Sequence, residues 1–366
     1  MRSKVIFLEE RRVVSFVRKY LEEKNCDAII VSSWQNVYYC SGFTGYGDAL
    51  LLITKDKKFI VTDSRYYVQA EKQSGDYTLV KSGAWSLKAM TDVLQQENVK
   101  KLVYEDLSVL HTMYVNYFEK LGTELIGAGD TFLKARTVKT PEEIAKVEAA
   151  CDLASAALER TFKYIKAGVT EIELAARLEY EMRLAGADKP SFDTIIASGV
   201  RGSMPHGTAS DKVIEKGDGV TIDFGAFYNG MCSDMTRTVF VGEPSAEMRK
   251  IYEVVKEAQQ TAIDGYKPGM KGKDLDKLAR DVIDEAGYGE YFGHSLGHGV
   301  GIDVHEGVSV SPGSEQLLEK GMIFSVEPGI YVPGLGGVRI EDLVTIGDNG
   351  KLRMITKAPV KDLLVF

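Results

Sequence analysis

At 366 residues, with 44% hydrophobic and 27% charged side chains, the chain exceeds the size at which one hydrophobic core stops growing, so two domains are expected. Its formal charge of −8 comes without basic runs, which argues against a phosphate-binding surface and hence against a nucleic acid partner. No apolar run reaches membrane-spanning length, the amino-terminal MRSKVIFLEERRVVSF lacks the apolar core of a signal peptide, and Cys26, Cys40, Cys151 and Cys232 show no CxxC spacing, so a cytoplasmic chain with no membrane partner is expected.

From the amino terminus, residues 7–24 (FLEERRVVSFVRKYLEEK) repeat apolar positions at helical spacing. DAIIVSS (27–33), ALLLIT (49–54), KFIVTD (58–63) and KLVYED (101–106) are short apolar runs of strand length. Together they predict an α/β domain over residues 1–133. A second domain, 134–366, opens with TVKTPEE, in which Thr140 is the helix cap, Pro141 the first helical residue and Glu143 the reciprocal capping residue. The helix that follows is long and alanine-rich.

The second domain contains an internal duplication. KAGVTEIELAARLEYEMRLAG from Lys166 pairs with KPGMKGKDLDKLARDVIDEAG from Lys267, and IEKGDGVTIDFG (214–225) aligns without a gap on LEKGMIFSVEPG (318–329). The second match superposes Asp223 on Glu327, so two related halves each deliver a carboxylate from an equivalent strand, as a site on a pseudo-twofold axis requires.

In GVTIDFGAFYNGMCSDMTRTVFVG (219–242), two strand-like runs flank Asn229-Gly230, a strong hairpin signal. That turn sets Asp223 opposite Thr236 and makes Asp223 and Asp234 diagonal neighbours on one face, roughly 7–8 Å apart at the backbone. Two buried carboxylates there repel each other unless a cation compensates them, or unless a bulge turns one towards solvent. Glu327 and Glu341, the latter in the strand run GGVRIEDLVTI (336–346), add to the count on the side of a cation.

Three of the five histidines fall within HSLGHGVGIDVHEG (294–307). HSLGH resembles the HExxH zinc helix but lacks its glutamate, and its glycines argue against a helix. Glycines let backbones approach a ligand closely, and imidazole both ligates borderline divalent metals and donates hydrogen bonds near neutral pH.

Asp223 with Asp234 in a hairpin, His298 in GHGVG, Glu327 in VEPGIY and Glu341 in VRIED resemble the ligand set of the "pita-bread" metallopeptidases, which include aminopeptidase P, prolidase and methionine aminopeptidase. The resemblance covers residues 134–366, with every motif in family order. The α/β first domain is similar to the creatinase-type amino-terminal domain of the aminopeptidase P and prolidase branch. It implies a two-domain α/β chain whose second domain is a pita-bread α+β fold with pseudo-twofold duplication.

The resemblance further implies that Asp223, Asp234, His298, Glu327 and Glu341 hold two divalent metals, with Asp234 and Glu341 bridging them. Four carboxylates in five ligands suit Mn2+, with Co2+ or Zn2+ as alternatives. His206 in SMPHG and His305 in DVHEG would contact the substrate, His294 would line the same pocket, and Arg339 would orient a carboxylate ligand. Glu327 would be general acid and base, with His305 and His206 assisting at the oxyanion. The substrate implied is a peptide with proline in second position, and the assembly implied is a homodimer.

Within that branch the sequence departs from the prolidase pattern. A dipeptidase must recognise a free carboxylate beyond the proline, and prolidases generally carry an arginine shortly after the histidine matching His305. Here residues 306–319 read EGVSVSPGSEQLLE, without Lys or Arg. The sequence therefore favours aminopeptidase P-like cleavage of longer Xaa-Pro peptides, with prolidase as the alternative. A metal-free binding module and a creatinase-like hydrolase rank below both, because such relatives lose several of the ligand carboxylates and this chain has all of them.

Overall fold

The computed structural model describes residues 12–83, 85–358 and 363–366; the start of the helix expected from residue 7, and the first eleven residues of the amino-terminal reading, lie outside them. The chain divides into two units, one ending at Ala135 and the other running from Arg136 to Phe366. All four cysteines are buried, and none is in a disulfide. Among the described residues no helix is long and apolar enough to cross a membrane.

In the first unit, the helix Arg12–Glu23 buries Val13, Val14, Val17 and Leu21, the stripe that its helical spacing predicts. Six strands follow: β1 (Ala28–Val31), β2 (Ala49–Thr54), β3 (Lys58–Thr62), β4 (Thr78–Lys81), β5 (Lys101–Tyr104) and β6 (Glu124–Gly127). They form one mixed sheet in the order β4-β3-β2-β1-β5-β6, with β2 antiparallel to both neighbours and the remaining pairs parallel. β1 and β2 are buried along their whole length, which explains why they read as unbroken apolar runs.

The second unit repeats one plan. Its first half begins with the helix Pro141–Thr161, whose Thr140–Glu143 capping box and Pro141 are in place, and continues with the helix Glu171–Ala185. Then come β7 (Lys189–Pro190), β8 (Ile195–Ser198), β9 (Gly219–Phe224), β10 (Ala226–Tyr228), β11 (Met231–Cys232) and β12 (Met235–Phe240). The second half begins with the helices Ala246–Gly265 and Gly272–Glu285. It continues with β13 (Gly297–His298), β14 (Ser309–Val310), β15 (Ile323–Val326), β16 (Gly329–Val332), β17 (Gly336–Arg339), β18 (Asp342–Ile346) and β19 (Leu352–Met354).

β9 pairs with β12 and β15 with β18, both antiparallel, and each pair is prolonged by a second short hairpin, β10–β11 or β16–β17. The Asn229-Gly230 turn has both residues at positive φ, 54° and 80°, as its hairpin requires, and it sets Thr236 opposite Asp223. Each half packs its helices on its own sheet, through Leu158, Leu174 and Ile222 in one and Val255, Leu275 and Phe324 in the other. The halves meet where Glu341 N donates to Thr236 O at 3.1 Å and Thr238 Oγ1 donates to Arg339 O at 3.0 Å.

The single strand expected across 336–346 is instead two. β17 pairs with β16 and β18 with β15, so the chain must leave one sheet for the other at Ile340-Glu341. Glu327 likewise lies in the break between β15 and β16, and Asp234 in that between β11 and β12.

Candidate metal centre

Those breaks build the site. A strand that changes sheets leaves residues at the bend without a cross-strand partner, and three of the four carboxylates occupy such bends. Asp223, from β9, is the exception, and its neighbour across the hairpin is Thr236.

Ligand atoms of Asp234, His298 and Glu341 lie within 4.8 Å of one another. His298 Nε2 is 3.2 Å from Glu327 Oε1 and 3.7 Å from Asp234 Oδ2. His298 Nδ1 lies 3.2 Å from Gly299 O, a contact that assigns the proton to Nδ1 and turns Nε2 towards the carboxylates. The segment that carries it passes so close to neighbouring backbone that a β-carbon at Gly297 would collide with Ser325 O, and one at Gly299 with Glu306 O. Glycine is therefore required at both positions, and no helix forms over 294–301.

Arg339 crosses from the second half to the first. Its Nη2 donates to Asp223 Oδ2 at 2.6 Å, its Nε to Thr236 Oγ1 at 3.0 Å, and its Nη1 to Tyr331 OH at 2.8 Å and Pro205 O at 3.2 Å. Thr236 Oγ1 in turn donates to Glu341 Oε2 at 2.7 Å. Each nitrogen of this guanidinium thereby donates inside the site.

Four buried or nearly buried carboxylates thus face one guanidinium and one imidazole. Burial and the charges of Glu341 and Asp223 push the Asp234 carboxyl well above its ordinary range. Burial, Glu327 and Asp223 do the same to Glu341, and burial raises Asp223 despite Arg339. Burial alone would raise Glu327 too, but the hydrogen bond and charge of His298 outweigh it and hold Glu327 below its usual value. The same pairing lifts His298 to about 9 against its own desolvation.

Asp223 Oδ1, Asp234 Oδ1 and Glu341 Oε1 are buried and have no hydrogen-bond partner. An orphaned, desolvated carboxylate oxygen is costly unless a cation meets it. The three orphaned oxygens, the excess of negative charge and the aimed imidazole fit divalent ions in an oxygen-rich set.

The site opens into a cavity of about 540 Å³ lined by His206, His294 and His305 as well as by all five expected ligands, with Phe192, Ile195, Val304 and Val308 as apolar walls. The His305 ring lies tilted at 54° to that of His298 with centroids 4.1 Å apart, and its pKa is lowered by burial and by the His298 charge. His294 Nδ1 lies 2.8 Å from Ser295 O and Nε2 3.0 Å from Tyr331 OH. Because Nδ1 must donate to the Ser295 carbonyl, Nε2 of the neutral ring accepts from Tyr331 OH, and burial lowers the His294 pKa. Tyr331 and Thr236 were not singled out in the sequence. Thr236 was accessible from the hairpin register, whereas no pattern marks Tyr331 beyond its place four residues after Glu327.

The sequence model of metallopeptidase family M24 matches residues 145–348, and that of the creatinase/prolidase N-terminal domain matches residues 14–138. This chain belongs to metallopeptidase family M24. Among proteins similar to it, an Xaa-Pro dipeptidase of Pyrococcus furiosus is 42% identical over 92% of this chain and 95% of that one. A solved Xaa-Pro dipeptidase from Bacillus anthracis superposes with a TM-score of 0.92 at 42% identity, covering 96% of this chain and 99% of the other. A solved X-Pro aminopeptidase from Thermotoga maritima superposes at 0.89 with 38% identity, over 96% and 99% of the two chains. The creatinase-type first domain and the M24 second domain expected from the sequence are both present. Membership in this metallopeptidase family implies divalent metal, in accord with the Asp234, His298 and Glu341 cluster.

Proposed function

We propose that this M24 metallopeptidase is an Xaa-Pro dipeptidase that splits the bond before proline, with Asp223, Asp234, His298, Glu327 and Glu341 holding two divalent ions, which the oxygen-rich donor set assigns as manganese. One observation carries the metal chemistry: Asp223, Asp234 and Glu341, drawn from both halves of the unit, each bury a carboxylate oxygen without a hydrogen-bond partner, and ligand atoms of Asp234 and Glu341 lie within 4.8 Å of that of His298. The similarity to the dipeptidases of P. furiosus and B. anthracis favours a dipeptide substrate over the longer peptides that residues 306–319 suggested.

When bound, the ions would supply Lewis acidity for the scissile carbonyl and an acidified water. The chain's own residues do the rest. Glu327, held ionised by His298 and by Ser325 Oγ donating at 3.0 Å to Oε1, accepts a proton and passes it to the departing proline nitrogen. His305 and His206 donate to the developing oxyanion. His294, with both ring nitrogens engaged, acts as a wall of the pocket. An Xaa-Pro bond is a tertiary amide with no N–H to grip, so Phe192, Ile195, Val304 and Val308 supply the apolar surface that accepts the pyrrolidine ring.

The aminopeptidase reading keeps one observation in its favour. Arg339 supplies the sole guanidinium or ammonium among the residues lining the cavity, and it is spent on Asp223, Thr236, Tyr331 and Pro205, leaving a substrate carboxylate to the imidazoles. Hydrolysis of Ala-Pro beside Ala-Pro-Ala and Ala-Pro-Pro by the manganese-loaded protein separates the two. Preference for Ala-Pro is expected, preference for the longer peptides makes it an aminopeptidase, and silence on all three overturns the proposal. A cytoplasmic homodimer completes the proposal, the compartment supported by four buried cysteines outside any disulfide and the dimer checked by sedimentation.

A further inference from the structure

His206 rides on the loop between Ser198, at the end of β8, and Ser210. Both ends of that loop are tied to a single carboxylate that lies outside the metal cluster. Glu171, the first residue of the helix Glu171–Ala185, is completely buried. Its Oε1 accepts from Ser198 N at 2.7 Å and Ser198 Oγ at 2.8 Å. Its Oε2 accepts from Ser210 N at 3.1 Å, from Ser210 Oγ at 2.7 Å, and from the Arg201 guanidinium inside the loop. Arg201 Nη2 then reaches Thr208 O at 2.9 Å, so the turn carrying Pro205 and His206 is braced from within.

The second half of the unit holds its own histidine in a related way. Asp276, buried on the helix Gly272–Glu285, accepts from Leu296 N at 3.0 Å and pairs with Arg280 at 2.8 and 3.0 Å. Arg280 carries the constraint onward to Phe292 O at 3.0 Å and His294 O at 2.9 Å. The two helices are partners in the sequence duplication, yet Glu171 and Asp276 stand at different positions along them. Each half has thus placed an acid–arginine pair behind the segment that presents a cavity-facing histidine.

A buried ion pair is a poor way to stabilise a fold, because the desolvation of two charges consumes most of the attraction between them. What it supplies is direction: five donors aimed at two oxygens admit one loop conformation. The geometry points to Glu171 as the positioning residue for His206, with Asp276 as its counterpart for His294. This rests on the reading of His206 and His294 as substrate-facing groups, and the experiment is built to separate the two statements.

In E171Q one oxygen still accepts, but the new NH2 group faces the donors of the other, so one end of the loop is released. The variant is expected to keep its metal while kcat/KM for Ala-Pro falls by up to about 100-fold, the scale of an ångström-size misplacement. In the His206→Ala background E171Q should cost little more, whereas in the His294→Ala background its full effect should persist; Asp276→Asn should show the reverse pattern. Equal, additive losses in both backgrounds would mean that Glu171 serves only global stability, and would overturn the proposal. Should E171Q fail to fold, Ser210→Ala removes one donor and leaves the Arg201 pair intact for the same cycle.

Hydrogen exchange supplies the readout that does not depend on activity. E171Q should accelerate amide exchange over residues 199–210 and leave 292–296 unchanged, and no change in 199–210, or an equal change in both, refutes the anchor. If His206→Ala retains full turnover, the assignment of His206 to the substrate fails while the exchange result still decides the role of Glu171.

Discussion

The two halves of the second unit follow one backbone plan with different side chains, and the site depends on the difference. Each half contributes a bent hairpin and two carboxylates, Asp223 and Asp234 from the first and Glu327 and Glu341 from the second. The first half keeps its pair short, with Asp223 on β9 and Asp234 at the bend between β11 and β12. The second half uses longer glutamates at its bends, and adds His298 and the guanidinium of Arg339, which reaches back across to Asp223 at 2.6 Å. Duplication by itself would yield four like charges around an axis. Asymmetry provides the compensating groups and gives two equivalent positions, Asp223 and Glu327, opposite electrostatic surroundings: one is raised by burial beside Arg339, the other held low by His298.

The harshest way to break this comparison is to remove the carboxylate that each half sends to the centre. Asp234→Ala and Glu341→Ala should both lose metal and reduce kcat/KM by more than about 100-fold, the upper figure for merely orienting partners of a metal site. Metal analysis of the two purified variants checks that neither half is dispensable.

The next test sharpens it at the equivalent pair. Glu327→Gln should lower kcat by roughly 10²–10⁴-fold, as expected for loss of a general acid and base. Asp223→Asn, which has no proton to move in this scheme, should act chiefly through weaker metal retention, so excess Mn2+ should restore part of its rate and little of that of Glu327→Gln. Equal rescue of both would erase the distinction drawn between the halves.

Arg339→Lys isolates the link across the axis. A lysine keeps the charge but cannot serve Asp223, Thr236, Tyr331 and Pro205 at once. A loss of about 10- to 100-fold in metal affinity or activity is expected, and titration calorimetry with Mn2+ measures the first.

The smallest effect is on stability and pH. Asp234 and Glu341 have folded-state pKa values raised above their unfolded ones, so their contribution is favourable when protonated and is lost as pH rises through the folded values. His298 acts with the same sign, its contribution present below the ordinary imidazole range and lost as pH rises through about 9. Metal must displace those protons. Chelated protein should therefore melt higher at about pH 6 than at about pH 8.5, and added Mn2+ should raise Tm more at the higher pH. At a hundredfold excess over Kd the rise should be about 5–10 °C. A metal-induced shift that is larger at the lower pH would contradict the electrostatic picture of the two halves.

Much of this was present in the order of the residues. Period and strand length marked the α/β unit, the Thr140–Glu143 box marked the start of the second unit's first helix, the gapless match of 214–225 with 318–329 exposed the duplication, and Asn229-Gly230 set the register that faces Asp223 with Thr236. Local rules of hydrogen bonding and chirality govern each of these, so a few neighbouring residues suffice to read them. The bends at Asp234, Glu327 and Glu341 were not legible, because they arise from each chain segment pairing in two sheets, a choice made by strands far away in sequence. The same holds for Arg339 reaching Asp223, for Tyr331 orienting His294, and for Glu171 closing the His206 loop across 27 and 39 residues. Such contacts form only when separate elements pack. The sequence determined which groups this protein owns and how each segment folds, and the tertiary structure decided which of them meet, because burial and long-range hydrogen bonding act on distances that the chain alone does not encode.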